Sequence, residues 1–361
     1  MSGFLDHLSS AWDRIREGQQ PLGRLERIAD ECCLPAGVAG QLIKREEMYF
    51  SVRVNQMELA MNRWFDATFD PLVVVVTEFI YGGVRVAIPS VIGPSLIQTH
   101  IASGAPRYGT VLTDTRVTGP HPYRGGDVDI SISFYRIKRS SMADAILGIV
   151  ENLSRVAGAG QLVAIAQTGK PLLDGVKALA GVRDTEYLAG QRTSVAMSGV
   201  LPLKTQFLAL LMPSGDPAPA TPALSVQDRR LFVRSDNTGP SAYRDSDFVL
   251  CSIEGSRQRE DESLFPFYSL KRKAIAAASK GEDGLKLAKA DLIIAYQQMQ
   301  ESADLTRGEV KELFDAWVEE FKDAKREAQN LVTMGPGSSR KEGNALPPDL
   351  SQAINMVTLQ D

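Results

Sequence analysis

An α+β chain is predicted by three observations. They are a run of β-branched residues leading into a Gly-Gly turn, a second stretch of strict two-residue alternation, and a long C-terminal segment at helical spacing. Together they predict a β-sandwich-like core with a helical insertion, flanked by an N-terminal helical segment and a C-terminal helical hairpin. The expected boundaries are 1–48 for the N-terminal segment, 49–265 for the core, 266–332 for the hairpin and 333–361 for a flexible tail. The insertion is expected at about 141–182, with two small sheet domains as the alternative to one sandwich.

The most constrained stretch is Pro71–Pro89. Leu72–Val76 is apolar at every position, as in a central strand covered on both faces, and Gly82-Gly83 supplies the positive φ of a two-residue hairpin turn. Pro71 and Pro89 are expected to mark its ends, because proline cannot donate to a ladder. Before it, Phe50, Val52 and Val54 alternate with polar residues, which predicts a half-buried strand. After it, Val111–Thr113 and Arg116–Thr118 are short β-like pieces, and Gly119–Gly126 reads as a turn. In the next strand Val128, Ile130, Ile132 and Phe134 face one way and Asp127, Asp129, Ser131 and Ser133 the other, which predicts one wet face. Further strands are expected at Phe207–Met212, Arg230–Val233 and Phe248–Ile253, with a Pro-rich loop over Pro213–Pro222.

The helical segments follow from period. Leu5, Leu8, Trp12 and Ile15, then Leu22, Leu25, Ile28 and Cys32, predict two short N-terminal helices. Leu25–Leu42 has apolar spacing like a helix-turn-helix. Cys33 occupies the usual glycine position and acids match or exceed bases, so it is read as a packing element, not a DNA reader. Met142, Ile146, Ile149 and Leu153 carry the insertion, while Leu285, Ala288, Leu292, Tyr296 and Met299 mark a later helix. Thr306-Arg307-Gly308-Glu309 has the form of a capping box opening the last one. There Val310, Phe314, Trp317, Phe321, Ala324, Ala328 and Leu331 step by four and three. This seam either buries against the preceding helix or is shared with another chain, in which case Phe314, Trp317 and Phe321 are its contacts. Beyond the linker-like Gly335–Asn344, the apolar Ile354, Met356, Val357 and Leu359 form a tethered peptide suited to a partner's groove or sheet edge, or to packing back on the chain.

Composition excludes several classes. The 361 residues are 43% hydrophobic and 23% charged, ordinary for a globular protein, and the net charge of −4 disfavours a coat for nucleic acid. Three cysteines, Cys32, Cys33 and Cys251, fit reduced thiols in a cytoplasmic protein. Neither a leader pattern nor an apolar run of the roughly 18–20 residues that span a bilayer is seen, which predicts a soluble protein.

Chemical motifs are sparse. Gly169-Lys170 is followed by Pro171, and Gly158-Ala159-Gly160 lacks the third glycine of a dinucleotide fingerprint. His7, His100 and His121 are not in zinc-ligand spacing, no Gly-x-Ser-x-Gly elbow occurs, and no cofactor is expected. The best candidate is the Gly119–Asp129 turn, which gathers His121, Arg124, Asp127 and Asp129 as possible ligand or metal contacts. With Asp66 and Asp70, or Asp245 and Asp247, such acids would resemble the loop-borne calcium sites of C2-type sandwiches in principle only. The plain alternative is that Arg124 pairs with an acid in a rigid turn.

The function expected from this pattern is a non-catalytic adaptor subunit of an intracellular multiprotein assembly of bacterial type, with other proteins or a second copy as partner. The alternatives are a hydrolase or ligand-binding enzyme built around His121, Asp127 and Asp129, and a calcium-dependent, C2-like membrane module.

Overall fold

A computed structural model describes residues 23–59, 63–64, 67–93, 115–138, 185–212, 223–234, 239–259, 261, 263, 265–278 and 280–333. The strands are β1 (Arg24–Arg27), β2 (Cys33–Leu34), β3 (Tyr49–Glu58), β4 (Arg63–Trp64), β5 (Ala67–Tyr81), β6 (Val84–Ile92) and β7 (Thr115–Pro122). They continue with β8 (Val128–Lys138), β9 (Thr185–Ala196), β10 (Gln206–Leu211), β11 (Leu224–Gln227), β12 (Arg230–Val233), β13 (Ser241–Ala242) and β14 (Phe248–Ser256). Three helices close the described chain: α1 (Tyr268–Ala277), α2 (Gly281–Glu301) and α3 (Arg307–Thr333). The architecture is α+β, mostly antiparallel sheet.

Two compact units result. One takes residues up to Leu264 together with Gln297–Leu313, and the other takes Phe265–Tyr296 and the chain from Phe314 onward. In the first, β1-β10-β14-β3-β7 form a middle sheet. Alternation gives that sheet two apolar faces. Leu208, Leu210, Val249, Cys251 and Ile253 share a core with Val73, Val75, Ile130 and Ile132 of the sheet built on β5 and β8. Phe207, Ala209, Leu211, Phe248 and Leu250 share a second core with Cys33, Val226 and Leu231 of the small β13-β12-β11-β2 sheet. The middle sheet thus contributes residues to both cores.

The hairpin forms as its sequence requires. Tyr81 pairs with Val84 across Gly82 and Gly83, whose φ values are 55° and 83°. Leu72–Val76 is buried at every position, and β5 lies between β6 and β8. The prolines, however, do not end the strands. Pro71 pairs with Arg136 and precedes the first β5–β6 pair at Val73, while Pro89 sits on β6, whose described ladder is to β5 alone. Each has one side of its strand with no described ladder bond to lose.

Other departures have local causes. The described part of the expected N-terminal helices, residues 23–48, forms β1, a 3-10 turn at Asp30–Cys32 and β2, because Ile28 and Cys33 are drawn into the second core. Tertiary burial overrides the helical period there. Residues 1–22, the insertion at 141–182, the Pro-rich loop and the tail from 334 lie outside the described residues. β3 is buried on both faces, not one: Leu231 N–H donates to Gln56 Oε1 at 2.8 Å and the Ser252 hydroxyl to Asn55 Oδ1 at 3.3 Å, while the buried Asn55 Nδ2 has no partner among the described residues. The register against β14 skips Asn55, so the side facing the first core changes from Phe50, Val52 and Val54 to Met57. The expected wet face of β8 is likewise covered, since Asp129, Ser131 and Ser133 are all buried.

Candidate functional site

Antiparallel pairing brings the start of β3 beside the ends of β7 and β14: Tyr49 pairs with Pro122 on one side and Ser256 on the other. The chain leaving β14 reaches Arg259, and the turn before α3 supplies Asp304, Leu305 and Thr306 to the same place. A polar node forms there. The Arg259 side chain is wholly buried and grips Asp261 through two parallel bonds, Nε to Oδ1 and Nη2 to Oδ2, both 2.8 Å. Its Nη1 donates to the carbonyls of Pro120 (2.8 Å) and Asp304 (3.1 Å), and its guanidinium carbon lies 5.6 Å from the Tyr49 ring centroid. Burial works against the charge, but the Asp261 bonds outweigh it and hold the guanidinium's pKa above its usual value.

The capping box opens into a relay at this node. The Glu309 N–H donates to Thr306 Oγ1 at 3.2 Å, as the sequence pattern requires. The reverse half is bridged by another strand: Thr306 N–H donates to the Tyr49 hydroxyl at 2.8 Å, and that hydroxyl donates to Glu309 Oε2. The second Glu309 oxygen accepts from Arg259 N–H at 2.8 Å. Burial and the Glu309 carboxylate together push the Tyr49 phenol far above its ordinary pKa. Beside it Tyr81 donates to Asp304, whose carboxyl is raised by burial against the lowering effect of that bond. Arg124 bonds Glu46 and, at 2.8 Å, the carbonyl of Leu305.

His121 lies within β7, opposite Phe50, not on a loop. Gly119 makes this possible. Its φ of 92° and the 2.5 Å that would separate an added Cβ from the Phe50 carbonyl leave room for glycine alone, at a shift in the β3–β7 register. Pro120 and Pro122 fit because, among the described strands, β7 is the edge of the middle sheet. The imidazole is fully buried against Phe79 (4.8 Å between centroids), Tyr81 (5.9 Å) and Phe50 (6.1 Å), and both ring nitrogens lack a hydrogen-bond partner. Burial, with the Arg259 charge nearby, lowers its pKa to about 3. Such a ring exchanges no proton between pH 5 and 8.

The other candidates are placed apart from it. Asp127 accepts Ser198 N–H at 2.8 Å. Asp129 is buried on β8, where it accepts from Arg192 Nη2 (2.6 Å), Arg85 Nη2 (2.5 Å) and the Ser194 hydroxyl (2.5 Å), with Glu78 also paired to both arginines. Desolvation raises the Asp129 pKa, yet these bonds overcome it and leave the carboxyl below its usual range. Two acids are thus matched by two guanidiniums. Among the described residues no three His, Cys, Asp or Glu side chains gather as a metal site would need; Asp66 lies outside them. The cysteines are unpaired, and burial pushes the Cys33 and Cys251 thiols up to about 11 and about 12, against the thiolate that nucleophilic attack requires.

In the helical unit the seam residues turn inward. Trp317 is buried against Phe267 and Tyr268, with Lys271 Nζ 5.2 Å from its ring while bonded to Glu320 at 2.8 Å. Phe321 joins Ala274, Ala278, Ala288 and Leu292 in a core, and Phe314 packs on Tyr296 at 4.5 Å. Ile354, Met356, Val357 and Leu359 lie outside the described residues. What spacing alone passed over is the opposite face of α2, where Leu287, Ile293 and Ile294 are 65%, 57% and 43% exposed. These residues fall off the stripe Leu285, Ala288, Leu292, Met299, and apolar residues off a helix's buried stripe are the signal that was available. No described helix is long and apolar enough to cross a membrane.

No family model matches the chain, and no curated protein is similar to it.

Proposed function

We propose that this chain is a non-catalytic adaptor or structural subunit of an intracellular multiprotein assembly, in which the layered sheets serve as a β-sandwich-like scaffold and the helical unit carries the contacts. The observation that carries the reading is the exposed Leu287–Ile294 face of α2, three large apolar side chains within two turns of a charged helix. Contiguous exposed apolar groups on a folded surface mark places where another surface sits. Among the described residues, several buried polar groups agree with the same reading. His121 is neutral and enclosed, two of the three thiols are held protonated, and the buried Asp129, Arg259 and Glu309 are spent on pairing inside the chain. The sandwich reading rests on the apolar core shared by the middle sheet and the β5–β8 sheet.

Affinity capture from the native cell, read by quantitative mass spectrometry, tests this with full-length chain beside Leu287→Asp/Ile294→Asp. A stoichiometric protein partner held by the unaltered chain and lost from the double variant is expected. Equal capture by both would move the contact off α2. An absence of any stoichiometric partner, with the purified chain monomeric, would count against the adaptor role itself.

A further inference from the structure

We propose that the exposed face of α2 is the docking site of this chain's own C-terminal segment, residues 350–359. Leu287, Ala290, Ile293 and Ile294 recur at helical spacing on the side of α2 opposite the buried Ala288, Leu292 and Ala295. They cover about two turns, or roughly 10 Å along the axis. Lys289 and Lys286 border this stripe and are exposed, Lys286 being paired with Asp283 at 3.5 Å. In the C-terminal segment Leu350, Ala353, Ile354 and Val357 recur at offsets of three, four and seven, an apolar set of the same length. After Lys341 the sequence has no Lys or Arg, while Glu342, Asp349 and Asp361 are acidic, so its charge is opposite to that of Lys289 beside the stripe.

The route of the chain permits the contact. Within the helical unit α3 runs antiparallel to α2, with Phe314 on Tyr296 and Phe321 and Ala324 in one core with Leu285 and Ala288. From Ala324 the last nine residues of α3 rise about 13 Å beyond that crossing, at the α2 end where Leu287 lies. Residues 334–349 then separate Thr333 from Leu350, a span of up to roughly 50 Å when extended. Reach does not limit docking, and a tether of this length presents the segment at an effective concentration on the order of 1 mM. The inference stands apart from the adaptor reading: the tail occupies the stripe whether or not a second protein later displaces it.

Hydrogen–deuterium exchange of the full-length chain, read by mass spectrometry over 345–361 and 285–296, tests the proposal. With a segment affinity of about 0.1 mM, amides of 350–359 are expected to exchange roughly tenfold more slowly than free peptide. That protection should vanish in Leu287→Asp/Ile294→Asp and, independently, in Ile354→Asp/Val357→Asp, and it should not change between 1 and about 50 μM protein. Free-peptide exchange in the unaltered chain overturns the proposal. So does protection that survives the Leu287→Asp/Ile294→Asp change, which would place the segment elsewhere, or protection that grows with protein concentration, which would make a second copy the occupant. None of these readouts depends on a foreign partner, so the adaptor reading can fail while this one holds.

Discussion

In the β-rich unit the Arg259 guanidinium is sealed from water and gripped by Asp261 and two backbone carbonyls, whereas in the helical unit Leu287 and Ile293 stand mostly in water. The usual distribution is reversed in both places, since charges normally stay outside and large apolar groups inside. The inverted charge is answered by a full set of bonds within the chain, while the inverted apolar residues have no covering surface among the described residues. A buried charge with its partners fixes one arrangement of loops; an uncovered apolar face leaves a contact still to be made. The first is therefore an anchor for the turn that starts α3, and the second a surface for association.

The comparison breaks most sharply at Arg259. Arg259→Ala leaves the Asp261 carboxylate without its fork and the carbonyls of Pro120 and Asp304 without a donor, so a loss of about 3–5 kcal/mol in urea unfolding is expected. Arg85→Ala removes a guanidinium that also meets two acids, but its side chain is nearly half exposed and Arg192 still pairs both acids. There the expected loss is about 1 kcal/mol or less. Equal losses would mean that enclosure does not set the value of these pairs.

Tyr49→Phe is expected to cost about 2–3 kcal/mol, because one oxygen serves both the Thr306 N–H and the Glu309 carboxylate in a buried place. The effect should be concentrated where the relay is. Amides at the start of α3 should exchange faster in the variant, while those of β11 and β12 should keep their wild-type rates.

His121 gives a pH-dependent version of the same test. Its pKa falls from 6.5 in the unfolded chain to about 3 in the folded one. Below about pH 6.5 the unfolded chain binds a proton that the folded chain refuses, so stability decreases as pH falls, by about 1.4 kcal/mol per unit, until the folded ring titrates too. At pH 5 the loss attributable to His121 is about 2 kcal/mol. His121→Leu should flatten this limb between pH 6.5 and 5 in urea unfolding. An unchanged slope would show that the ring reaches water in the folded chain.

How much of this was legible depended on whether the signal was local. The Gly82-Gly83 hairpin, the β12 strand and the α3 seam follow from residues close in sequence, and each formed near its expected bounds. Locally Gly119–Pro122 reads as a turn, because glycine and two prolines are turn formers. Only the close approach of Phe50 and the edge position of β7 make them a strand. The node at Arg259 joins residues from 49 to 309, so no window of sequence contains it. The sequence offers His121 as a ligand or metal contact on a loop; it lies instead in β7, and its aromatic cage comes from β3 and β5, distant in sequence. The exposed face of α2 is present in the sequence as Leu287 and Ile294, but the buried stripe alone already accounts for a helix and so hides it.

A smaller effect is expected on that face. Leu287→Asp should lower thermal stability by about 1.4 kcal/mol at most, the amount a segment docked with tenfold bias contributes, because a side chain 65% exposed loses little packing of its own on replacement. On the same helix Leu292→Asp should be severe, as Leu292 is buried with Phe321 and a carboxylate there would have no partner in the core. Measured side by side by thermal unfolding, the pair separates a helix with one packed face from a helix packed all round. If Leu287→Asp costs about 1.4 kcal/mol and adds nothing further in Ile354→Asp/Val357→Asp, the C-terminal segment is the cover of that face. If it proves silent in stability yet removes a partner, Leu287 acts in association alone.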